Sequence, residues 1–217
     1  MTDRFADRRE AGRLLGEALR RLGLPPGTII LGLARGGVIV AAEAARALGL
    51  PLDVLVVRKL GVPGQPELAF GAIATGGRRV LNPGVIAEAG VTDAEIEAVT
   101  REEERELQRR EAAYRGNRPP LDLRGRTVVL VDDGLATGAS MRVAIEAVRA
   151  LGADRVIVAV PVAPPGVCEE LAADFPGLEC VVLRTPDPFY AVGLWYRTFP
   201  HTSDDEVTAA LAASPAA

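Results

Sequence analysis

The chain has 217 residues, of which 48% are hydrophobic, and carries a formal net charge of −4 with a single histidine. This length and hydrophobicity suffice for one buried core, whereas the acidic balance argues against nucleic-acid and polybasic membrane binding. No apolar run is as long as a membrane span, and the polar start is unlike a signal peptide. We therefore expect one cytoplasmic domain over residues 1–217 that binds neither nucleic acid nor membrane.

Apolar strands alternate with helical segments along the chain. Strands are predicted at residues 28–33, 54–58, 69–74, 127–131, 155–161 and 180–183. Helices are predicted at residues 6–22, 37–48, 92–115, 138–151 and 165–174. Because these strands are apolar on both faces, the pattern predicts an α/β fold with a mostly parallel, doubly wound sheet. Sites in such sheets lie at the carboxyl ends of the strands.

The first two predicted strands end in residues suited to anions. The first ends in a glycine-rich connection made of Ala34, Arg35, Gly36 and Gly37. The second ends in Arg58 and Lys59, and Lys59 is the only lysine of the chain. A lysine ammonium is a compact point charge that fits where a guanidinium fork does not. Simple turns and a lysine placed by chance are the alternatives.

Two segments between the predicted strands leave their roles open. A glycine- and proline-rich loop at 61–67 leads into a predicted hairpin through Gly76 and Gly77. It is either a surface turn or a mobile loop over the site. The helix at 92–115 opens with a capping box and is rich in Glu and Arg, which indicates a solvated helix. A homo-oligomer formed through this helix is the alternative.

The segment after the strand 127–131 says most about function. Asp132 and Asp133 end the strand, a turn of small residues follows, and a helix then begins. The free N–H groups and positive dipole end of that helix attract a phosphate. The predicted phosphate-binding residues are Gly134, Ala136, Thr137, Gly138, Ala139 and Ser140. A Walker A motif and a dinucleotide fingerprint do not fit, because their lysine and first glycine pair are absent. Ordinary strand-turn-helix packing is the alternative.

Residues 132–140 resemble the PRPP-binding motif of type I phosphoribosyltransferases (PRPP is 5-phosphoribosyl 1-pyrophosphate), with supporting matches at 34–37 and 58–59. The arrangement is also similar to stand-alone bacterial members whose acceptor is unassigned. The resemblance implies a glycosyltransferase of nucleotide metabolism in which a nucleobase-like or other nitrogen acceptor displaces pyrophosphate from PRPP. A PRPP-sensing regulator without transferase activity and a hydrolase are the alternatives.

The resemblance also implies roles for individual residues. Asp132 and Asp133 would hold the ribose hydroxyls and stabilise an oxocarbenium-like transition state. Lys59 would act with them as a catalytic residue. Pyrophosphate would bind Ala34, Arg35, Gly36, Gly37, Arg58 and Lys59. The Ala34–Arg35 peptide bond is expected to be cis, or to become cis when PRPP binds. Mg²⁺ would be the cofactor, held mainly by PRPP and through water by Asp132 and Asp133.

A small hood is expected to cover this site from about residues 1–22 and 184–205. Phe189, Tyr190 and Trp195 would either stack on a flat acceptor or form the packed core of the hood. The sequence identifies neither the acceptor nor a general base for it. Cys168 and Cys180 have no metal-ligand spacing and are expected to be separate buried thiols.

Overall fold

The computed structural model describes residues 4–116 and 118–215. Its helices are α1 (Arg8–Arg20), α2 (Gly36–Leu48), α3 (Pro83–Ala89), α4 (Asp93–Arg115), α5 (Ala139–Ala150), α6 (Val167–Asp174) and α7 (Asp204–Ala212). Its strands are β1 (Ile29–Leu33), β2 (Leu52–Leu55), β3 (Val57–Val62), β4 (Gln65–Ala74), β5 (Arg78–Leu81), β6 (Thr127–Val131), β7 (Arg155–Val162) and β8 (Glu179–Arg184). A short 3₁₀ helix covers Val192–Trp195.

Five strands form a parallel sheet in the order β2-β1-β6-β7-β8. After β1 the chain adds β2 on one side of the sheet, and after β6 it adds β7 and β8 on the other side. The order therefore reverses between β1 and β6, and open α/β sheets bind ligands beyond such a reversal. The predicted doubly wound α/β fold is confirmed, and the loops after β1 and β6 begin side by side.

The sheet separates two apolar cores, because successive side chains of a strand point to opposite faces. Ile30 and Val129 pack on the face that α1, α2, α4 and α7 cover. Leu31 and Leu130 pack on the opposite face, against α5 and α6. Strands β1 and β6 are buried throughout, as their unbroken apolar sequences predict. This two-sided packing fixes the strand ends from which the two loops begin.

The chain leaves the parallel sheet at Val56, earlier than the sequence predicts. The Val56 N–H donates to the Thr75 hydroxyl at 3.0 Å, and the Val56 carbonyl accepts from the Thr75 N–H at 2.9 Å. The predicted continuous strand 54–58 is therefore wrong. Strand β2 ends at Leu55, and Lys59 lies in β3, which belongs to a separate sheet.

Strands β3, β4 and β5 form a three-stranded antiparallel sheet. It packs on α5 through Ala72 and Ala74, which contact Val143 and Ala147. The loop predicted at 61–67 is mostly strand, because β3 and β4 pair up to a tight turn. Helices α3 and α7 were not predicted. Both begin with side-chain caps, at Asn82 and Ser203.

Cys168 and Cys180 form a disulfide bond, so the expectation of two separate thiols is wrong. Helix α6 packs on β8 and brings the two Cα atoms within 5.7 Å, inside the range that a disulfide spans. The two cysteines are 12 positions apart in the sequence. The absence of metal-ligand spacing did not reveal this pairing, because it arises from a helix-to-strand contact.

Among the described residues, no helix combines the length and hydrophobicity needed to cross a bilayer.

Candidate active site

The loops after β1 and β6 touch through two glycines of α2. A Cβ placed on Gly36 would overlap the carboxylate of Asp133. A Cβ placed on Gly37 would lie 2.8 Å from both the Cα and Oδ1 of Asp132. Glycine is therefore required here for close approach rather than for an unusual φ angle. Both stretches follow predicted strands, at whose carboxyl ends the site was expected, and the structure places them in contact.

Asp132 and Asp133 follow β6 and are largely enclosed by protein. The Asp133 N–H donates to Oδ1 of Asp132 at 2.8 Å. Burial, and second the neighbouring charge of Asp133, hold the pKa of Asp132 well above its ordinary value. Burial also raises the pKa of Asp133, and Arg8 opposes that rise. Two adjacent carboxylates with raised pKa values, at a topological switch point, are a candidate catalytic pair.

Arg8 is a site residue that the sequence did not reveal. It begins α1, and its Nε donates to Oδ2 of Asp133 at 2.8 Å. Its side chain is 11% exposed, and that of Asp133 is 16% exposed. The two residues are 125 positions apart, so no local pattern connects them. The only sequence signal was the predicted contribution of the N-terminal segment to the hood.

The turn after the acidic pair lines a cavity of about 140 Å³. All six residues predicted to bind phosphate line this cavity, together with Lys59, Asp132, Leu135 and Met141. Gly138 stands before α5 with φ 70° and gives the helix no side-chain cap. The first residues of α5 line the cavity, and the first N–H groups of a helix have no intrahelical partners. The Ala139 N–H donates to the Thr137 hydroxyl at 3.4 Å. This end of the helix has the geometry of an anion site.

Arg142 braces the outer side of this turn. Its Nη1 donates to the Thr137 carbonyl at 2.9 Å, and its Nε donates to Asp174 at 2.8 Å. Its Nη2 also lies 3.6 Å from Glu170. One side chain of α5 thus fastens the turn to helix α6. Arg142 was not predicted, because it follows the motif and reads in sequence as one more charged helix position.

Lys59 and Arg58 point in different directions from β3, as neighbours on a strand do. Lys59 is exposed and lines the same cavity as the turn at residues 134–138, which we call the phosphate turn after its predicted role. The Nε of Arg58 instead donates to Glu103 on α4 at 2.6 Å. The structure therefore brings Lys59, and not Arg58, to the predicted phosphate residues.

The loop after β1 carries the predicted cis peptide bond, between Ala34 and Arg35. The Arg35 side chain is 40% exposed, and its Nη1 lies 3.6 Å from Oδ1 of Asp204. The same oxygen accepts from the Tyr114 hydroxyl at 2.6 Å. Burial, and second this hydrogen bond, raise the pKa of Tyr114 to about 12. Helices α4 and α7 thus meet beside the first loop.

The aromatic residues after β8 form a small apolar cluster with the N-terminal segment. Phe189 and Trp195 pack against Phe5 and Tyr196 in this cluster. Tyr190 is 78% exposed and takes no part in it. The Tyr196 hydroxyl, which was not predicted, donates to the Asp133 carbonyl at 2.5 Å. Residues 1–3 of the predicted hood lie outside the described residues, and its binding role stays a prediction.

The acidic pair suits a magnesium ion that a phosphorylated ligand brings with it. Among the described residues, no group of three or more His, Cys, Asp or Glu side chains is arranged to hold a metal ion. Mg²⁺ keeps several waters and binds through one or two carboxylates plus phosphate oxygens. Asp132 and Asp133 supply such carboxylates beside the phosphate turn, so the residues present fit an ion held mainly by the ligand.

Comparison with known proteins identifies relatives of this chain. The profile of the phosphoribosyl transferase domain matches residues 9–181. The Mycobacterium tuberculosis protein named "Putative phosphoribosyl transferase Rv0571c" is 51% identical over 209 residues. That match covers 95% of this chain but 46% of the mycobacterial protein, so the chain spans about half the length of the curated relatives it matches.

Two solved structures have the same fold. TT1426 from Thermus thermophilus is 47% identical, with a TM-score of 0.82 over 98% of this chain and 99% of that chain. A hypothetical protein from Neisseria gonorrhoeae, solved with bound ppGpp, is 16% identical, with a TM-score of 0.51 over 98% of both chains. At that identity the second likeness concerns the fold alone.

Proposed function

Because this chain belongs to the phosphoribosyl transferase domain family, we propose that it transfers the phosphoribosyl group of PRPP to a nitrogen acceptor and releases pyrophosphate. One observation carries the proposal. Asp132, Lys59 and the first residues of α5 line a single cavity of about 140 Å³ beyond the carboxyl end of β6. That cavity combines a ribose-binding carboxylate, a cation and a phosphate cradle.

In this proposal the 5-phosphate of PRPP binds the N–H groups that open α5, with hydrogen bonds from the hydroxyls of Thr137 and Ser140. Asp132 and Asp133 accept hydrogen bonds from the ribose hydroxyls. Their negative charge stabilises the positive charge that grows on the ring. The raised pKa of both groups shows the cost of burying that charge before the ligand arrives.

Pyrophosphate leaves between the first loop and β3. Arg35 offers a half-exposed guanidinium, and the backbone of Gly36 and Gly37 can be approached closely. Lys59 lines the cavity beside Asp132 and supplies a point charge to the leaving group. Mg²⁺, bound to PRPP and through water to the acidic pair, would neutralise further negative charge. Homo-oligomer formation and a cytoplasmic location stay predictions.

The test is an assay for pyrophosphate release from PRPP and Mg²⁺ with a panel of nucleobases. We expect release that requires one class of acceptor and is lost when Asp132 and Asp133 are both changed to Asn. Release without any acceptor would instead indicate a hydrolase. Binding of PRPP without turnover across the panel would favour the PRPP-sensing alternative.

A further inference from the structure

The Arg8 side chain joins three parts of the molecule at the acidic pair. Besides its bond to Asp133, its Nη1 donates to the Pro200 carbonyl at 2.7 Å. Its guanidinium carbon lies 3.7 Å from the centroid of the Phe199 ring. Charge-assisted bonds combined with stacking hold a guanidinium in one orientation. Arg8 therefore links the start of α1 to the acidic pair and to the segment that precedes α7.

Asp133 is restrained by these contacts on several sides. Its Oδ2 lies between Arg8 and the Cα of Gly36, where no side-chain atom fits. Its backbone carbonyl accepts from the Tyr196 hydroxyl. Within residues 4–116 and 118–215, Oδ1 of Asp133 has no hydrogen-bond partner. The carboxylate is thus fixed through one oxygen while the other is left for a ligand.

We propose that Arg8 is a positioning residue of the ribose subsite, which holds Oδ2 of Asp133 so that Oδ1 is presented to a ribose hydroxyl. The inference rests on the proposed function, because it requires ribose at the acidic pair. Orientation that the folded protein already provides need not be supplied at binding, which favours the bound geometry. Arg8 itself need not touch the ligand.

The test compares R8Q and R8K with R9Q as a matched control. Arg9 is the next residue of α1, is 62% exposed and pairs with Glu43, away from the acidic pair. Calorimetric titrations use ribose 5-phosphate, PRPP and pyrophosphate alone. We expect R8Q to weaken ribose 5-phosphate and PRPP roughly tenfold, the size of coupling between contacting residues, and R8K to weaken them less. R9Q should stay within about twofold.

Pyrophosphate separates positioning from general damage, because it lacks the ribose that Asp133 would contact. R8Q should bind pyrophosphate as the wild type does. In a D133N background, the R8Q change should have no further effect on ribose 5-phosphate, since Arg8 acts through Asp133. Equal weakening of all three ligands by R8Q would overturn the inference. So would losses of affinity that multiply when R8Q and D133N are combined, or tighter binding by R8Q.

The proposed function and the role of Arg8 can be disproved separately. If the wild type binds neither PRPP nor ribose 5-phosphate, the proposed function falls and takes the inference with it. If the wild type binds both and R8Q binds them equally well, the inference alone is wrong. R8K retains the positive charge, so it keeps the inference testable if R8Q fails to fold.

Discussion

Asp132 is a residue at which the proposed binding role and the stability of the fold oppose each other. Burial, and second the charge of Asp133, raise its pKa above the unfolded value. Between those two pKa values Asp132 is therefore more often protonated in the folded protein than in the unfolded chain. The contribution of Asp132 to the free energy of unfolding is most favourable below its unfolded pKa, and this contribution is lost as the pH rises from about 4 towards the folded pKa.

We expect Asp132→Asn to stabilise the protein at neutral pH while it weakens ligand binding. The amide oxygen can still accept from the Asp133 N–H, but the buried charge is gone. A gain on the order of 1 kcal/mol would raise the Tm by about 2–4 °C for a chain of this size. Thermal unfolding in metal-free buffer at pH 7 and pH 4 measures it. The expectation would be contradicted if the variant's Tm at pH 7 were equal to or lower than that of the wild type. It would also be contradicted if the variant gained more Tm at pH 4 than at pH 7.

Lys59 can be tested against its own neighbour. If Lys59 contacts the pyrophosphate group, Lys59→Ala should weaken PRPP by about 1.5–3 kcal/mol, the value of a hydrogen bond to a charged group. Ribose 5-phosphate lacks that group and should be affected much less. Arg58→Ala is the control, because Arg58 pairs with Glu103 on α4. Equal weakening of both ligands by Lys59→Ala would show that Lys59 acts elsewhere.

At the scale of elements, Arg142 on α5 links the phosphate turn to α6. Arg142→Met removes the hydrogen bond to the Thr137 carbonyl, whose net value is about 0.5–1.5 kcal/mol. We expect ribose 5-phosphate to bind several-fold more weakly by calorimetry. Arg149→Met on the same helix is the control, since Arg149 donates to the Pro176 carbonyl outside the cavity. Unchanged affinity in Arg142→Met would show that the turn holds its shape without the brace.

The sequence predicted those elements whose cause is local. The strand 127–131 and the turn after it were correct, because an unbroken apolar run and a glycine turn determine them. The strand predicted at 54–58 failed, because Val56 is held by Thr75, a partner 19 residues away. Helix α7 was missed although Ser203 and Glu206 form a capping box at its start. Here the signal was present, but the predicted hood ended at about residue 205 and no helix was predicted after it.

The same distinction holds for the candidate site. The residues of the phosphate turn could be predicted from one motif, since they are consecutive. Arg8 and Tyr196 reach Asp133 across 125 and 63 positions, so only the folded chain brings them together. A single sequence contains no information on which of its many arginines will face a buried carboxylate.

At the scale of the whole molecule, the disulfide between α6 and β8 fastens one edge of the parallel sheet. Closing a loop of this length is expected to stabilise the fold by about 3 kcal/mol. Denaturant unfolding of the wild type with and without reductant measures this contribution. The C168S/C180S variant should match the reduced wild type and should not respond to reductant. A wild type that is insensitive to reductant would contradict the prediction.

The fold brings residues from early and late in the chain together at the carboxyl ends of the parallel strands. Arg8 near the start and Tyr196 near the end both hold Asp133, while the two central loops supply the glycines and the phosphate turn. The alignment with the mycobacterial relative covers 95% of this chain and about half of that relative. The residues assigned to the proposed ribose and phosphate subsites all belong to this chain.

The most direct test of the account is the titration of PRPP, with Mg²⁺, into the wild type and into the variant in which Asp132 and Asp133 are both Asn. We predict one binding site in the wild type and an affinity reduced by a factor of roughly 100 or more in the variant, because two charged acceptors are lost from one ligand. Circular dichroism should show the same fold in both proteins. Equal affinity in the two folded proteins would contradict the assignment of the ribose to this acidic pair.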